Sequence, residues 1–100
     1  VRAIVISEKD NVATALEDIP AGAQVKVRVG AEEREIRVAT AIQFGHKFAL
    51  RPIPKGGEII KYGEVMGKAT VDINRGEHVH VHNVESQRGR GDLMAKEAER

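Results

Sequence analysis

One short phrase recurs three times in this 100-residue chain and constrains its fold more than any other feature. It reads Ile19-Pro20-Ala21-Gly22-Ala23-Gln24-Val25, then Ile53-Pro54-Lys55-Gly56-Gly57-Glu58-Ile59, then Ile73-Asn74-Arg75-Gly76-Glu77-His78-Val79. Each copy is an apolar anchor, a two-residue turn, a glycine, and an apolar residue opening the next strand. Proline fixes φ at the second position of two copies, and glycine permits the positive φ that a tight turn needs. The copies are unequally spaced, so the phrase is a recurring β-corner and not a solenoid repeat. Only Phe44, Phe48 and Tyr62 supply aromatic bulk, so the core must be built from Val, Ile, Leu and Ala. With ten glycines as punctuation, that composition predicts short strands and tight corners in an all-β domain.

The strands follow from alternation between these corners. Residues 3–6 read as a first strand. Residues 11–19 are open to two readings: Asp10 is placed to cap a helix, while Val12 and the first corner favour an extended segment. Residues 24–29 and 34–38 alternate well and form a hairpin around Gly30-Ala31-Glu32-Glu33. Residues 46–53 form a strand with Pro52 at an edge or bend. Residues 59–61 and 65–71 flank Tyr62-Gly63, which reads as a kink or bulge. The row His78-Val79-His80-Val81-His82 closes the domain as a short strand ending at Asn83. From Ser86 the chain turns polar and glycine-punctuated, so residues 1–87 are expected to be the folded domain and 88–100 a linker or tail with helix-like character from Leu93 onward.

The histidine row carries the chemistry. Period two puts His78, His80 and His82 on one strand face, with neighbours roughly 6–7 Å apart and the ends roughly 13 Å apart. His80 with one neighbour can therefore reach one metal ion, whereas all three on one ion are not expected. The bland alternative is a solvated strand whose histidines bond backbone carbonyls. His46 and Lys47 form a basic pair at a strand start, suited to acid–base work or metal ligation near neutral pH, or to fixing a turn. Lys61 and Tyr62 suit a carboxylate and hydroxyls, although a Tyr-Gly bend is more often core packing. Asp10 and Asn11 are expected to serve a turn or cap.

Composition excludes several classes. Sixteen basic and fifteen acidic residues leave a net charge of +1, which gives no electrostatic case for nucleic acid. There are no cysteines, hence no disulfides and no thiolate metal ligands. No apolar run approaches a membrane span, and no signal peptide is visible, so a cytoplasmic protein is expected.

Four blocks, in order, carry a family resemblance: Asp10-Asn11-Val12-Ala13, Gly45-His46-Lys47-Phe48-Ala49-Leu50, Ile60-Lys61-Tyr62-Gly63, and Gly76-Glu77-His78-Val79-His80-Val81-His82-Asn83. Together they resemble the amino-terminal domain of the altronate and galactarate dehydratases, up to about Asp92. The resemblance implies an SAF-like β-clip fold. It also implies a role as the small subunit of a hydro-lyase that dehydrates a sugar acid, D-altronate foremost, by completing an active site on a large catalytic subunit. The isolated chain is then expected to be inactive, because a chain this small does not easily bury a polyhydroxylated substrate. Dehydration develops negative charge, so a divalent cation is implied: iron(II), with manganese(II) or zinc(II) also compatible with imidazole. On this resemblance His46 and Lys47 are the catalytic candidates, Lys61, Tyr62 and His78 bind substrate, and His80 and His82 bind metal. Galactarate dehydratases resemble the Gly-His-Lys block but depart from the histidine row, which ties His46 to shared chemistry and the row to specificity. The small subunit of sulfolactate sulfo-lyase and a non-catalytic sugar-acid-binding module are the alternatives. An exposed β-edge suits a homo-oligomer or the large subunit equally well.

Overall fold

The computed structural model describes residues 3–86, which contain nine strands and no helix. The strands are β1 (Ala3–Ile4), β2 (Val12–Ala15), β3 (Gln24–Val29), β4 (Glu32–Arg37), β5 (Lys47–Ala49), β6 (Glu58–Lys61), β7 (Glu64–Ala69), β8 (His78–Val79) and β9 (Val84–Ser86). All pairings between them are antiparallel. They make a central sheet in the order β1-β2-β5-β8, a hairpin β3-β4, and a three-stranded sheet β6-β7-β9. The all-β expectation holds. No helix among the described residues is long and apolar enough to cross a membrane. The tail expected over 88–100, its helix-like character and the 87/88 boundary lie outside the described residues.

The central strands are buried on both faces, and period two sorts their side chains between two cores. Ala13 and Ala15 of β2 and Phe48 of β5 join Val25, Val27 and Ile36 of the hairpin in one core. Val12 and Ala49, one residue out of phase, join Ile59, Ala69 and Val79 in the other. Small alanines here let the outer layers approach closely, and Phe48 fills the first core with no exposure.

The corners join these layers, and there are four where the sequence reading finds three. The additional copy is Ile42-Gln43-Phe44-Gly45-His46. At each corner the glycine has φ between +83° and +86° (Gly22, Gly45, Gly56 and Gly76). The amide one residue later closes the turn: Ala23 onto Pro20, His46 onto Gln43, Gly57 onto Pro54, Glu77 onto Asn74. A positive φ at the third position is the requirement of a type II turn, which glycine meets without strain. The anchoring isoleucines pair reciprocally. Ile19 and Ile42 exchange two backbone bonds of 2.8 Å, and so do Ile53 and Ile73. Asp18 accepts from the Phe44 amide and Asp72 from the Lys55 amide, each at 2.8 Å. Each core thus contains one isoleucine pair, and the domain is two like half-structures back to back.

Several expected boundaries move for local reasons. Residues 11–19 are not helical: Asp10 instead accepts hydrogen bonds from the Ser7 and Gly63 amides, and β2 occupies Val12–Ala15. The β3–β4 loop contracts to Gly30-Ala31, because Glu32 pairs with Val29. Residues 46–53 are strand only over Lys47–Ala49 before the chain leaves for the Ile53 bridge. Tyr62-Gly63 is the hairpin turn itself, with φ of +58° and +75°, and the bulge falls at Ile59/Ile60. The largest change is in the histidine row. Strand β8 ends at Val79, residues 81–83 turn, and β9 returns along β7.

Candidate functional site

Two corners deliver the first two histidines. His46 follows Gly45, and His78 lies two residues beyond Gly76. Strands β5 and β8 then run antiparallel with Phe48 opposite His78 and Lys47 opposite Val79. One step further along that register places His46 opposite His80. The result is a cluster in which His46 Nδ1 and His78 Nε2 lie 2.8 Å apart, sharing one hydrogen bond. The His46 and His80 rings stack at 4.1 Å between centroids, and His78 and His80 at 5.4 Å with planes 11° apart. Period two therefore survives for His78 and His80, and the third member of the cluster is the residue just before β5.

His82 departs from the expected row. The turn folds it back so that its ring lies 5.0 Å from that of His78, tilted by 33°. An extended strand would have separated the two by roughly 13 Å. One donor atom each from His46, His78 and His80 fall within 4.8 Å of one another, and His82 is not part of that group. All three members are half-buried.

Around the imidazoles the field is positive. Burial holds the His78 imidazolium below its ordinary pKa, reinforced by His82, His46, His80 and Lys47. Burial also lowers His80, with His46, Lys47 and His82 adding to it. Lys47 is half-buried, and its ammonium is depressed first by burial and then by the charge of Lys61. Each shift disfavours the protonated form, so the ring nitrogens are kept free as donors to a cation and the Lys47 amine is made easier to deprotonate.

This chemistry tests the fit of a metal. Three imidazoles, each offering one donor atom within 4.8 Å of the others, suit iron, manganese or zinc. The residues present fit a divalent transition metal.

The substrate candidates divide. Lys61 ends β6, half-buried, close enough for its charge to act on Lys47. Tyr62 is 54% exposed, so the expectation of core packing fails for its ring; the Lys61 ammonium lies 4.7 Å from the ring centroid. Beside the cluster runs an open apolar groove lined by Lys47, Ile59, Met66, His80, Val81 and Val84, with Val81 82% exposed at its rim.

Comparison with known proteins decides the family. The model of the altronate/galactarate dehydratase SAF domain matches residues 1–87. This chain belongs to that family. Its SAF domain is 44% identical over 80 residues to altronate dehydratase of Escherichia coli and 43% identical over 83 residues to that of Bacillus subtilis. These matches cover 80% and 83% of the chain but only 15% and 16% of the two relatives, so it spans a small part of their length. The alpha subunit of (2R)-sulfolactate sulfo-lyase from Chromohalobacter salexigens is 37% identical over 75 residues, with 73% of this chain and 80% of that subunit covered.

The sequence reading missed two contributors to this SAF site. The corner at residues 42–46 lacks proline or a polar turn pair, but the Ile-x-x-Gly spacing of the other copies identifies it. Asn83, read as a strand end, is a buried residue bonded to the backbone of the histidine turn.

Proposed function

We propose that this SAF domain forms one wall of the active site of a lyase acting on a hydroxy acid, with a sugar acid such as D-altronate as the preferred substrate. The convergence of His46, His78 and His80 beside Lys47 carries this reading. These three imidazoles would hold the divalent cation, iron(II) being the metal the family resemblance implies. The bound ion would supply Lewis-acid stabilisation of the negative charge that develops on the substrate oxygens.

The chain's own residues account for the rest. Lys47, with its proton affinity reduced by burial, takes the proton α to the carboxylate. Lys61 and the hydroxyl of Tyr62 receive the substrate's carboxylate and hydroxyls. We assign His46 to the metal set in place of an acid–base role, a reading supported by the donor atoms it shares within 4.8 Å with His78 and His80. His82, exposed and outside the donor group, is left out of the proposed metal set.

A site this open does not enclose a polyhydroxylated acid. The apolar groove with Val81 at its edge has no use for such a substrate and suits a protein surface. We therefore assign the domain to a larger catalytic portion that covers this face, with the chain serving as a small subunit. A second reading, the alpha subunit of a sulfo-lyase, is favoured by the 80% of that relative which the chain covers.

Anaerobic capture with the full chain as bait, followed by assay of the recovered complex on D-altronate and (2R)-sulfolactate with iron(II), tests the proposal. The expected result is a complex whose turnover is lost on chelation and in His80→Ala. Turnover on sulfolactate alone selects the second reading. Robust turnover by the purified chain without a partner refutes the division of labour.

A further inference from the structure

We infer that Asn83 is the positioning residue of the imidazole cluster, an inference that rests on the metal-site reading above. The turn after β8 has to carry His80 onto the ring of His46 and then reverse the chain into β9. Nothing in the side chains of His80, Val81 and His82 specifies that turn: Val81 favours a continuing strand, and histidine is not among the turn-forming residues. Asn83 supplies what is missing. Its Oδ1 accepts from the His80 amide at 2.9 Å, and its Nδ2 donates to the His78 carbonyl at 2.7 Å. Its own amide donates to the His80 carbonyl at 3.1 Å, and its carbonyl accepts from Thr70 at 3.0 Å. One buried residue thereby ties the backbone of both row histidines to each other and to the end of β7. The same side-chain device occurs once more, where Asn11 donates to the Glu58 carbonyl and accepts from the Ile60 amide. There it fastens β6 to the central sheet; at Asn83 it fastens two metal-ligand candidates.

The side chain is suited to this and its near relatives are not. An amide is both donor and acceptor in one plane, so it bridges an N–H and a C=O as a strand neighbour would. Aspartate keeps the acceptor for His80 but sets a second oxygen against the His78 carbonyl. Alanine supplies neither bond.

The test uses the full chain with cobalt(II) as probe, its affinity read by chelator competition and its site by the visible absorption spectrum. Loss of a residue that orients metal ligands weakens metal binding by roughly 10–100-fold. Asn83→Ala is expected to fall in that range with an altered spectrum, and Asn83→Asp between it and the unmodified chain. Gly22→Ala, at a corner remote from the cluster, controls for lost stability and is expected to keep affinity and spectrum. A folded Asn83→Ala with unchanged affinity and spectrum overturns the inference. A second measurement needs no metal: imidazole ¹⁵N shifts report the proton shared by His46 and His78. Asn83→Ala is expected to move them and Gly22→Ala to leave them in place. If the unmodified chain binds no cobalt, the metal reading fails while these shifts still decide the role of Asn83. Shifts unchanged in Asn83→Ala overturn it.

Discussion

Replacing Gly76 by alanine separates two costs that most glycine substitutions mix. Gly22, Gly45, Gly56 and Gly76 occupy the same turn position with nearly the same φ, so each alanine bears the same left-handed backbone penalty, about 1–2 kcal/mol. Around Gly22, Gly45 and Gly56 an added Cβ meets nothing within 4 Å. At Gly76 it would overlap the Arg37 carbonyl oxygen. That carbonyl cannot retreat easily. Arg37 pairs with Gln24 at the end of β4, the Val38 amide is bonded to Ala23, and the Ala39 amide donates to Gly76 itself at 2.8 Å. On the other side the Gly76 amide donates to Ala49 at 2.8 Å. Overpacking against backbone held in this way adds about 1–3 kcal/mol. Gly76→Ala should therefore lose about 2–5 kcal/mol in total, against about 1–2 kcal/mol for the other three. Urea unfolding of the four variants measures the difference directly. Because an added Cβ clashes with backbone at Gly76 and meets nothing at Gly45, the His46–His78 hydrogen bond should weaken more in Gly76→Ala than in Gly45→Ala, although each corner positions one of the two histidines. Four equal losses, within about 0.5 kcal/mol, would show that the Arg37 contact relaxes and that the corner does not lock the two halves together.

Three further outcomes are expected. The depressed pKa values of His78, His80 and Lys47 mean that the unfolded chain binds more protons than the folded one as pH falls through their ordinary values. Stability should be fullest above those values and decline on acidification, for the histidines from about pH 6.5 downward to their folded values; a urea midpoint that stays flat or rises between about pH 8 and pH 5 contradicts this. Tyr62 holds φ +58°, so Tyr62→Gly should be at least as stable as the unmodified chain and Tyr62→Val, being β-branched, the least stable of the three. Thermal unfolding in which the glycine variant is weakest would show that the exposed ring, not the backbone, holds the turn. Asn11→Ala removes both side-chain bonds to β6 and should cost about 1–3 kcal/mol, since a part-buried C=O and N–H lose their partners; a loss below about 0.5 kcal/mol would mean other groups replace them.

What the sequence made legible was whatever local chemistry decides. The β3–β4 hairpin follows from alternation, and the three corners with proline or polar turn residues follow from turn preference. The Gln43-Phe44-Gly45 corner did not, because only its glycine is a turn signal and the isoleucine pairing that fixes it comes from 23 residues away at Ile19. The histidine row misled for a related reason. Alternating valines favour strand locally, while the reversal at residues 81–83 is set by the buried Asn83 and by β9 pairing with β7. Asp10 illustrates the same limit: a helix cap and a loop clamp use the same carboxylate, and only the Gly63 amide across the fold distinguishes them.

The repeat that organises the fold also explains why the site lies where it does. A corner that closes with a glycine at positive φ fixes the direction of the next two or three residues, whatever their side chains. The domain uses that fixed exit four times, but two of the exits, after Gly45 and Gly76, lead into the neighbouring strands β5 and β8. Residues just past each glycine therefore meet across one ladder by construction, and histidines placed there converge without a dedicated loop. Each half-structure has one exit that carries a histidine and one that does not: the exits after Gly22 and Gly56 carry Ala23-Gln24 and Gly57-Glu58, with no imidazole. Chemistry was thus placed on the seam between the two cores, where backbone position is set by both halves. On that reasoning a histidine pair moved to positions 57 and 24 would not meet, because β6 and β3 are not neighbours in any sheet.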